Sequence, residues 1–330
     1  MNQNKRVGIY GCGKMGEAVL QILFRGGHRV RVWDKDEQVR KHIADTYGSP
    51  LLAASIEELV LDAHMIFLGV PAPAIVLAAE AIGPFVNGSQ IVLHAARGVG
   101  PEFLLPHQAI RQKTCIKKIG VLGGPLYFED LTDQRPLTAI LASRYDEVAR
   151  FVRELTEETQ VRLHTCRDVV GVEIAGAISN VSALAAGMSQ HLSLGETAQG
   201  VLLTHGLSES AQLGVAKGAE WITFTGLAGV GDLIPRTVAS TERHYEAGRA
   251  LARGETLGGD SENPSAMLEG VCTAYETHAY ASVVGLRLPL IAAVHAVLCG
   301  EKKAKEALEE VLNEDITLGR DLVSKTIQAL

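Results

Sequence analysis

No stretch of this sequence combines the length and the freedom from polar groups that a membrane span needs. The most apolar candidate, residues 168–190 (DVVGVEIAGAISNVSALAAGMSQ), is interrupted by Glu173 and Asn180. Cysteine is scarce: Cys12, Cys115, Cys166, Cys272 and Cys299 are far apart, odd in number and show no CxxC or other ligand spacing. That pattern excludes a disulfide framework and a metal centre as organising features, and it predicts a reduced, cytoplasmic setting. There is no long basic run, and the net charge is -7, which argues against a nucleic-acid partner. Repeats and low-complexity segments are lacking. The opening residues, MNQNKRVGIY, contain no apolar core of the signal-peptide kind. Beyond residue 168 no convincing strand pattern occurs.

What is present fits a globular chain of 330 residues, 47% apolar and 21% charged. Such a length suggests roughly two domains of about 150 residues. The expected division is 1–167 and 168–330. Residues 168–190 are rich in Ala, Gly and Ser, too small for a surface helix but suited to close backbone approach. They read as a buried helix at the junction. Glu173 and Asn180 stand two helical turns apart and share a face. A polar stripe on a buried helix must be satisfied by partners, water or a ligand.

The first half carries the strongest local signal. RVGIY is a short apolar run, followed at once by GCGKMG, a helical pattern, a second strand at residues 30–33 and Asp34. Strand, GxGxxG, helix, strand and acid within about 30 residues form a dinucleotide-binding fingerprint. Gly11 makes the tight turn, Gly13 lets the backbone approach a pyrophosphate, and Gly16 allows close helix–strand packing. The helix N-terminus supplies amide donors for phosphate. Asp34 holds ribose hydroxyls and repels a 2′-phosphate, which favours NAD; Lys35 softens that preference and keeps NADP in view. Lys14 and Met15, within the loop, would face the cofactor. Further strands are expected at 64–70, 90–93, 117–122, 138–141 and 161–165, with helices near 36–47, after Ser55 and near 145–156. Ligands gather beyond the carboxyl ends of such strands. Pro71, His94 and Arg97 fall at that rim.

The second half reads as helices broken by glycines. Helices are expected over 197–216, from 240 onward, from 267 onward and over 301–313, where Ala304, Leu308, Val311 and Leu312 share one face. GLAGVGDLIPR, residues 226–236, reads as a loop carrying Asp232 and Arg236.

These residues resemble the soluble NAD(P)-dependent glycerol-3-phosphate dehydrogenases of bacteria, from Val7 to about Val311. GCGKMGEAVL resembles the dinucleotide loop. AARGVG stands at an A-T-K-G motif, GGPLYFED at G-P-S-F-A-K-E, and VGVEIAGAISNVSALAAG at a G-V-E-x-x-G-A-L-K-N-V motif. TGLAGVGDL, RHYEAG, LEGVCTA and GLRLPLIAAVHAVLCGE match later motifs in order. The resemblance implies an α/β Rossmann domain followed by an all-α domain similar to the C-terminal domain of 6-phosphogluconate dehydrogenase, with a small anionic, phosphorylated substrate. It also implies cofactor contacts at Gly11, Cys12, Gly13, Lys14, Met15, Gly16, Asp34, Lys35, Pro71, Arg97, Phe128, Arg243 and Glu269. Substrate contacts would come from Arg97, Gly124, Arg236 and Arg243. Ser179, Asn180, Asp232 and His244 would carry the catalytic steps, and the apolar helices of the second half make a homodimer plausible.

The match departs from the family at the substrate side. The family's acid/base lysine on the buried helix is Ser179, and the lysine of A-T-K-G is Arg97. The serine and asparagine flanking Arg243 are Glu242 and His244, and a threonine near the G-D-L motif falls at or next to Arg236. A serine hydroxyl does not ionise near neutral pH, and a guanidinium stays protonated. His94, His244, Asp232, or a water held by Ser179 and Asn180, are the candidate proton carriers. Three activities follow: a glycerol-3-phosphate dehydrogenase with a substituted proton path, a dehydrogenase of another small anionic 2-hydroxy or keto substrate, or a non-catalytic NAD(H)-binding sensor.

Overall fold

The computed structural model describes residues 5–127, 130, 135–157, 159–238, 242–257 and 268–316. The chain packs as two units: Met1–Ala96 with Pro106–Val169, and Arg97–Leu105 with Val170–Leu330. Residues 97–105, which the sequence places on the Rossmann side of a cut near 167, therefore pack with the helices.

In the first unit, β1 (Arg6–Tyr10), β2 (Arg29–Trp33), β3 (Met65–Leu68), β4 (Ile91–His94), β5 (Ile119–Gly123), β6 (Leu137–Ala142) and β7 (Val161–Cys166) form one sheet in the order β2-β1-β3-β4-β5-β6-β7. Every pairing is parallel except β5 with β6. The strand sequences explain their places. MIFL and IVLH are continuous apolar runs ending in one histidine, and all their positions are buried, as central strands of a two-sided parallel sheet require. RVRVW alternates and lies at the edge, with arginines outward. Helices α1 (Lys14–Arg25), α2 (Glu37–Tyr47), α3 (Ile56–Leu61), α4 (Ile75–Ile82), α5 (Pro106–Lys113) and α6 (Asp146–Thr156) connect the strands. Asp36 and Ser55 cap α2 and α3 by accepting backbone N–H bonds from Gln38 and Glu58. Because β1 lies between β2 and β3, the order reverses beside it, and the loops after β1 and β3 open a crevice there.

The described residues of the second unit contain no strand. Its helices are α7 (Val169–His191), α8 (Glu196–Ala216), α9 (Ile222–Thr225), α10 (Val230–Val238), α11 (Arg243–Ala252), α12 (Glu269–Val284), α13 (Pro289–Leu298) and α14 (Ala304–Leu312). By length and composition α7 is apolar enough to cross a membrane, yet its apolar window is wholly buried inside the protein. Its small residues do the packing. A Cβ on Gly187 would stand 2.0 Å from the carbonyl oxygen of Tyr245, and one on Gly248 2.0 Å from that of Leu184, so α7 and α11 cross in backbone contact. A Cβ on Gly206 of α8 would meet Ser182 Oγ at 2.2 Å.

Residues 230–236, expected as part of a loop, are helical in α10. Residues 226–229 before it form a bend and turn, where Gly229 also packs closely: a Cβ there would stand 1.8 Å from the carbonyl oxygen of Phe224. Pro235 sits inside the helix at the cost of one backbone hydrogen bond. The helical geometry matters, because it places Asp232 and Arg236 one turn apart on one face. The amphipathic helix near the end is α14, with Ala304, Leu308 and Val311 buried and Leu312 half-buried.

Candidate active site

In the first unit the glycine loop follows β1 directly. Gly11 has a φ of 85°, the left-handed region. A Cβ on Gly16 would stand 2.2 Å from the Gly11 carbonyl oxygen, and one on Gly69, after β3, 2.3 Å from the same atom. The turn, the start of α1 and the β3 loop are thus pressed together at the crevice. Gly13 differs: nothing lies within 4 Å of its Cβ position, which leaves open space against the backbone. Lys14 and Lys35 are exposed, while Met15 and Pro71 are half-buried. Asp34, buried at the end of β2, accepts the Cys12 amide at 2.7 Å and the Asp36 amide at 2.9 Å. The carboxylate is thereby locked beside the loop with lone pairs left for ribose hydroxyls. The Cys12 thiol is pushed up to about 12 by burial and by Glu17 and Asp34, so it stays a neutral packing group. Gly124, buried with a φ of 79°, turns the chain after β5. His94 closes β4 and is fully buried. Phe128 lies outside the described residues.

In the second unit a buried polar cluster surrounds Asp232, which has no exposed surface. Arg97 lays its aliphatic stem across Gly176 of α7, where a Cβ would already be in contact. Its Nη1 donates to Asp232. Arg236 Nε reaches both Asp232 oxygens at 3.2 and 3.3 Å, and its Nη1 donates to Asn180 at 3.0 Å and Glu242 at 3.3 Å. Ser179 Oγ stands 2.9 Å from the Gly176 carbonyl and 3.0 Å from Asp232. The hydroxyl has one proton, so its bond to Asp232 competes with the bond to its own helix. Asn180 donates to the Arg97 carbonyl at 2.7 Å, and Glu269 accepts the Arg97 N–H at 3.1 Å. The polar stripe on α7 is therefore satisfied at Asn180 by partners from two other segments.

His244 and Glu242 complete the cluster. Glu242 caps α11 by accepting the N–H groups of His244 and Tyr245. The His244 Nδ1 lies 2.8 Å from Glu242, while Gly270 donates its N–H to Nε2 at 3.2 Å. Glu242 at Nδ1 and the Gly270 amide at Nε2 occupy both ring nitrogens within the fold. The ring is ill placed to carry a proton to a substrate. Burial pushes the Glu242 carboxyl up, but the His244 ring, the Arg236 guanidinium and the Tyr245 amide outweigh it and pull it down to about 2. Glu242 is thus a partly buried anion. Arg243, first residue of α11, is exposed.

Ser179, Asn180, Asp232, Arg97, Arg236, His244 and Glu269 are brought into one cluster. The group that local sequence signals underrate is Glu242, which stands out there only as a departure from a motif. Its position one residue before a helical pattern is an N-cap signal, but nothing local shows that the same carboxylate also meets Arg236.

Comparison with known proteins covers both units. The family model described as NAD-dependent glycerol-3-phosphate dehydrogenase N-terminus matches residues 6–149, and that described as the C-terminus matches residues 168–309. A glycerol-3-phosphate dehydrogenase (NAD(P)+) of Streptococcus sanguinis is 32% identical over 333 residues, covering 94% of this chain and 96% of the relative. One from Halalkalibacterium halodurans is 29% identical over 323 residues, with 93% and 94% covered. The crystal structure of glycerol-3-phosphate dehydrogenase from Coxiella burnetii has the same fold, with a TM-score of 0.87 at 24% identity over 94% of this chain and 99% of that one. This chain belongs to the NAD-dependent glycerol-3-phosphate dehydrogenase family.

Proposed function

We propose that this protein interconverts glycerol 3-phosphate and dihydroxyacetone phosphate by hydride transfer with a nicotinamide cofactor, NAD in preference to NADP. Residues 1–167 carry the cofactor and 168–330 most of the substrate side, with Arg97 packed among the helices of the second unit. The observation that carries the reading is the buried cluster around Asp232, built from family motif positions in a chain whose two halves both match the family. The relatives bear the name of this activity with NAD(P)+. The open space at Gly13 and the fixed Asp34 carboxylate suit a dinucleotide. When bound, its nicotinamide supplies the hydride acceptor or donor.

The chain's own residues then handle charge and the proton. Arg243, exposed at the start of α11, suits an anionic phosphate in a two-pronged bond. Oxidation removes a proton from the C2 hydroxyl. Ser179 Oγ accepts that proton as its own passes to the Asp232 carboxylate, so one O–H bond forms for each that breaks. Lysine chemistry is replaced by a serine–aspartate relay, with Arg97 and Arg236 balancing the charge of Asp232. His244, used within the fold, holds position. A cytoplasmic setting and a homodimer through the helical unit complete the reading.

Anaerobic assay of dihydroxyacetone phosphate reduction tests it. Turnover with NADH, faster than with NADPH, is expected. Rates at the no-enzyme background with NADH binding intact would overturn the activity and leave a sensor. For the cofactor, Asp34→Ala should weaken NADH binding about 10- to 100-fold, the worth of hydrogen bonds to a charged group, and NADPH binding less. Equal losses for both, measured by fluorescence titration, would remove the basis for the NAD preference.

A further inference from the structure

Five residues at or next to departures from the resembled motifs concern the substrate side: Arg97, Ser179, Arg236, Glu242 and His244; a sixth departure, Glu246, pairs with Arg249 instead. The five are scattered in sequence, yet they touch one another or a shared partner. Ser179, Arg97 and Arg236 all bond Asp232. Arg236 bonds Glu242, and Glu242 bonds His244. These five form one connected set.

We propose that Glu242 is the positioning residue for Arg97, acting along two routes that start at its carboxylate. One route is ionic. Glu242 holds Arg236 Nη1 at 3.3 Å, Arg236 Nε holds Asp232, and Asp232 holds the Arg97 guanidinium. The other runs through the backbone. Glu242 holds His244 Nδ1 at 2.8 Å, and His244 Nε2 takes the N–H of Gly270 at 3.2 Å. Gly270 follows Glu269, whose carboxylate takes the Arg97 N–H at 3.1 Å. Packing supports the second route. A Cβ on Gly270 would stand 2.7 Å from the His244 ring and 3.1 Å from Asn180, so the first turn of α12 is seated directly on His244.

The physical reason is the nature of the cation at position 97. A lysine ammonium is a compact point charge that acts from many orientations, whereas a guanidinium is planar and acts through a directed fork. An arginine at position 97 therefore needs its plane and its backbone fixed. Charge adds a second requirement. Arg97 and Arg236 share the Asp232 carboxylate, and Glu242 places a further carboxylate against Arg236.

The inference rests on the proposed function only for its kinetic readout. The test uses the full-length chain with Glu242→Gln, Arg97→Lys and the double variant. For dihydroxyacetone phosphate reduction, Glu242→Gln should lower kcat roughly 10- to 100-fold, the scale of a small misplacement at a reacting centre, with a much smaller change in KM. The double variant should be no slower than Arg97→Lys alone, because no guanidinium remains to orient. Unfolding midpoints read the same coupling without activity: the two single shifts should exceed the shift of the double variant when summed. Independent, additive effects on both kcat and midpoint would overturn the proposal. If the wild type does not turn over, the activity falls and the midpoints alone decide the coupling. Should Glu242→Gln fail to fold, His244→Asn cuts only the backbone route, and the same non-additivity with Arg97→Lys is expected; additive shifts overturn it.

Discussion

Asp232→Asn is expected to lower kcat/KM for dihydroxyacetone phosphate by roughly 10³-fold, within the span of a lost acid/base group. The asparagine is nearly isosteric, so the loss isolates charge and proton affinity from shape. Asp232 has no exposed surface and meets both Arg97 and Arg236. An amide in its place turns two N–H donors toward groups that already donate. It also cannot take the proton from Ser179. Removing one partner of a buried ion pair costs about 3–5 kcal/mol, so urea unfolding should report a marked loss as well. The two readouts separate roles. A stability loss with kcat/KM near the wild-type value would show Asp232 to be only a counter-ion, and the serine–aspartate relay would fall.

Gly187→Val should leave no folded helical unit. The side chain would need space held by the Tyr245 carbonyl, 2.0 Å from the Cβ position, and by the Arg249 nitrogen at 3.1 Å. Both belong to the backbone of α11, so no rotamer change relieves the clash. The smaller Gly187→Ala already requires the two helices to part and should cost about 3 kcal/mol, the upper range for overpacking. Gly200 of α8 provides the control. Nothing lies within 4 Å of its Cβ position, and alanine there should stabilise by about 0.5–1 kcal/mol through helix propensity. Thermal unfolding of the three variants checks the contrast. An alanine at 187 no less stable than wild type would mean that α7 and α11 do not cross in backbone contact.

The features of this protein that are legible in its amino-acid sequence are those whose signals are local. The strand–glycine loop–helix–strand–acid order spans a short segment, and the geometry of a phosphate-binding turn is set by the backbone of those same residues. Apolar runs announce the strands of the sheet, and alternation at β2 announces an edge. The buried helix is visible in its Ala, Gly and Ser content. Position 179 is visible as a serine where the family's motif has lysine.

Local signals fail where a residue's task depends on distant neighbours. Gly226, Gly229, Gly231 and Pro235 look like loop punctuation; 226–229 is indeed a bend and turn, but 230–238 is helical with Gly231 and Pro235 inside it. His244 looks like a candidate acid/base until Glu242 and the Gly270 amide take both of its nitrogens. Glu242 reads as a motif mismatch and proves to be a partly buried anion meeting Arg236 and His244. Sequence states which charges exist. Which of them are desolvated and paired is decided by packing, because the energy of a buried charge depends on the few ångströms around it. Residues 97, 179, 232, 242 and 269 become one site only when α7, α10, α11 and α12 bring them within hydrogen-bond reach.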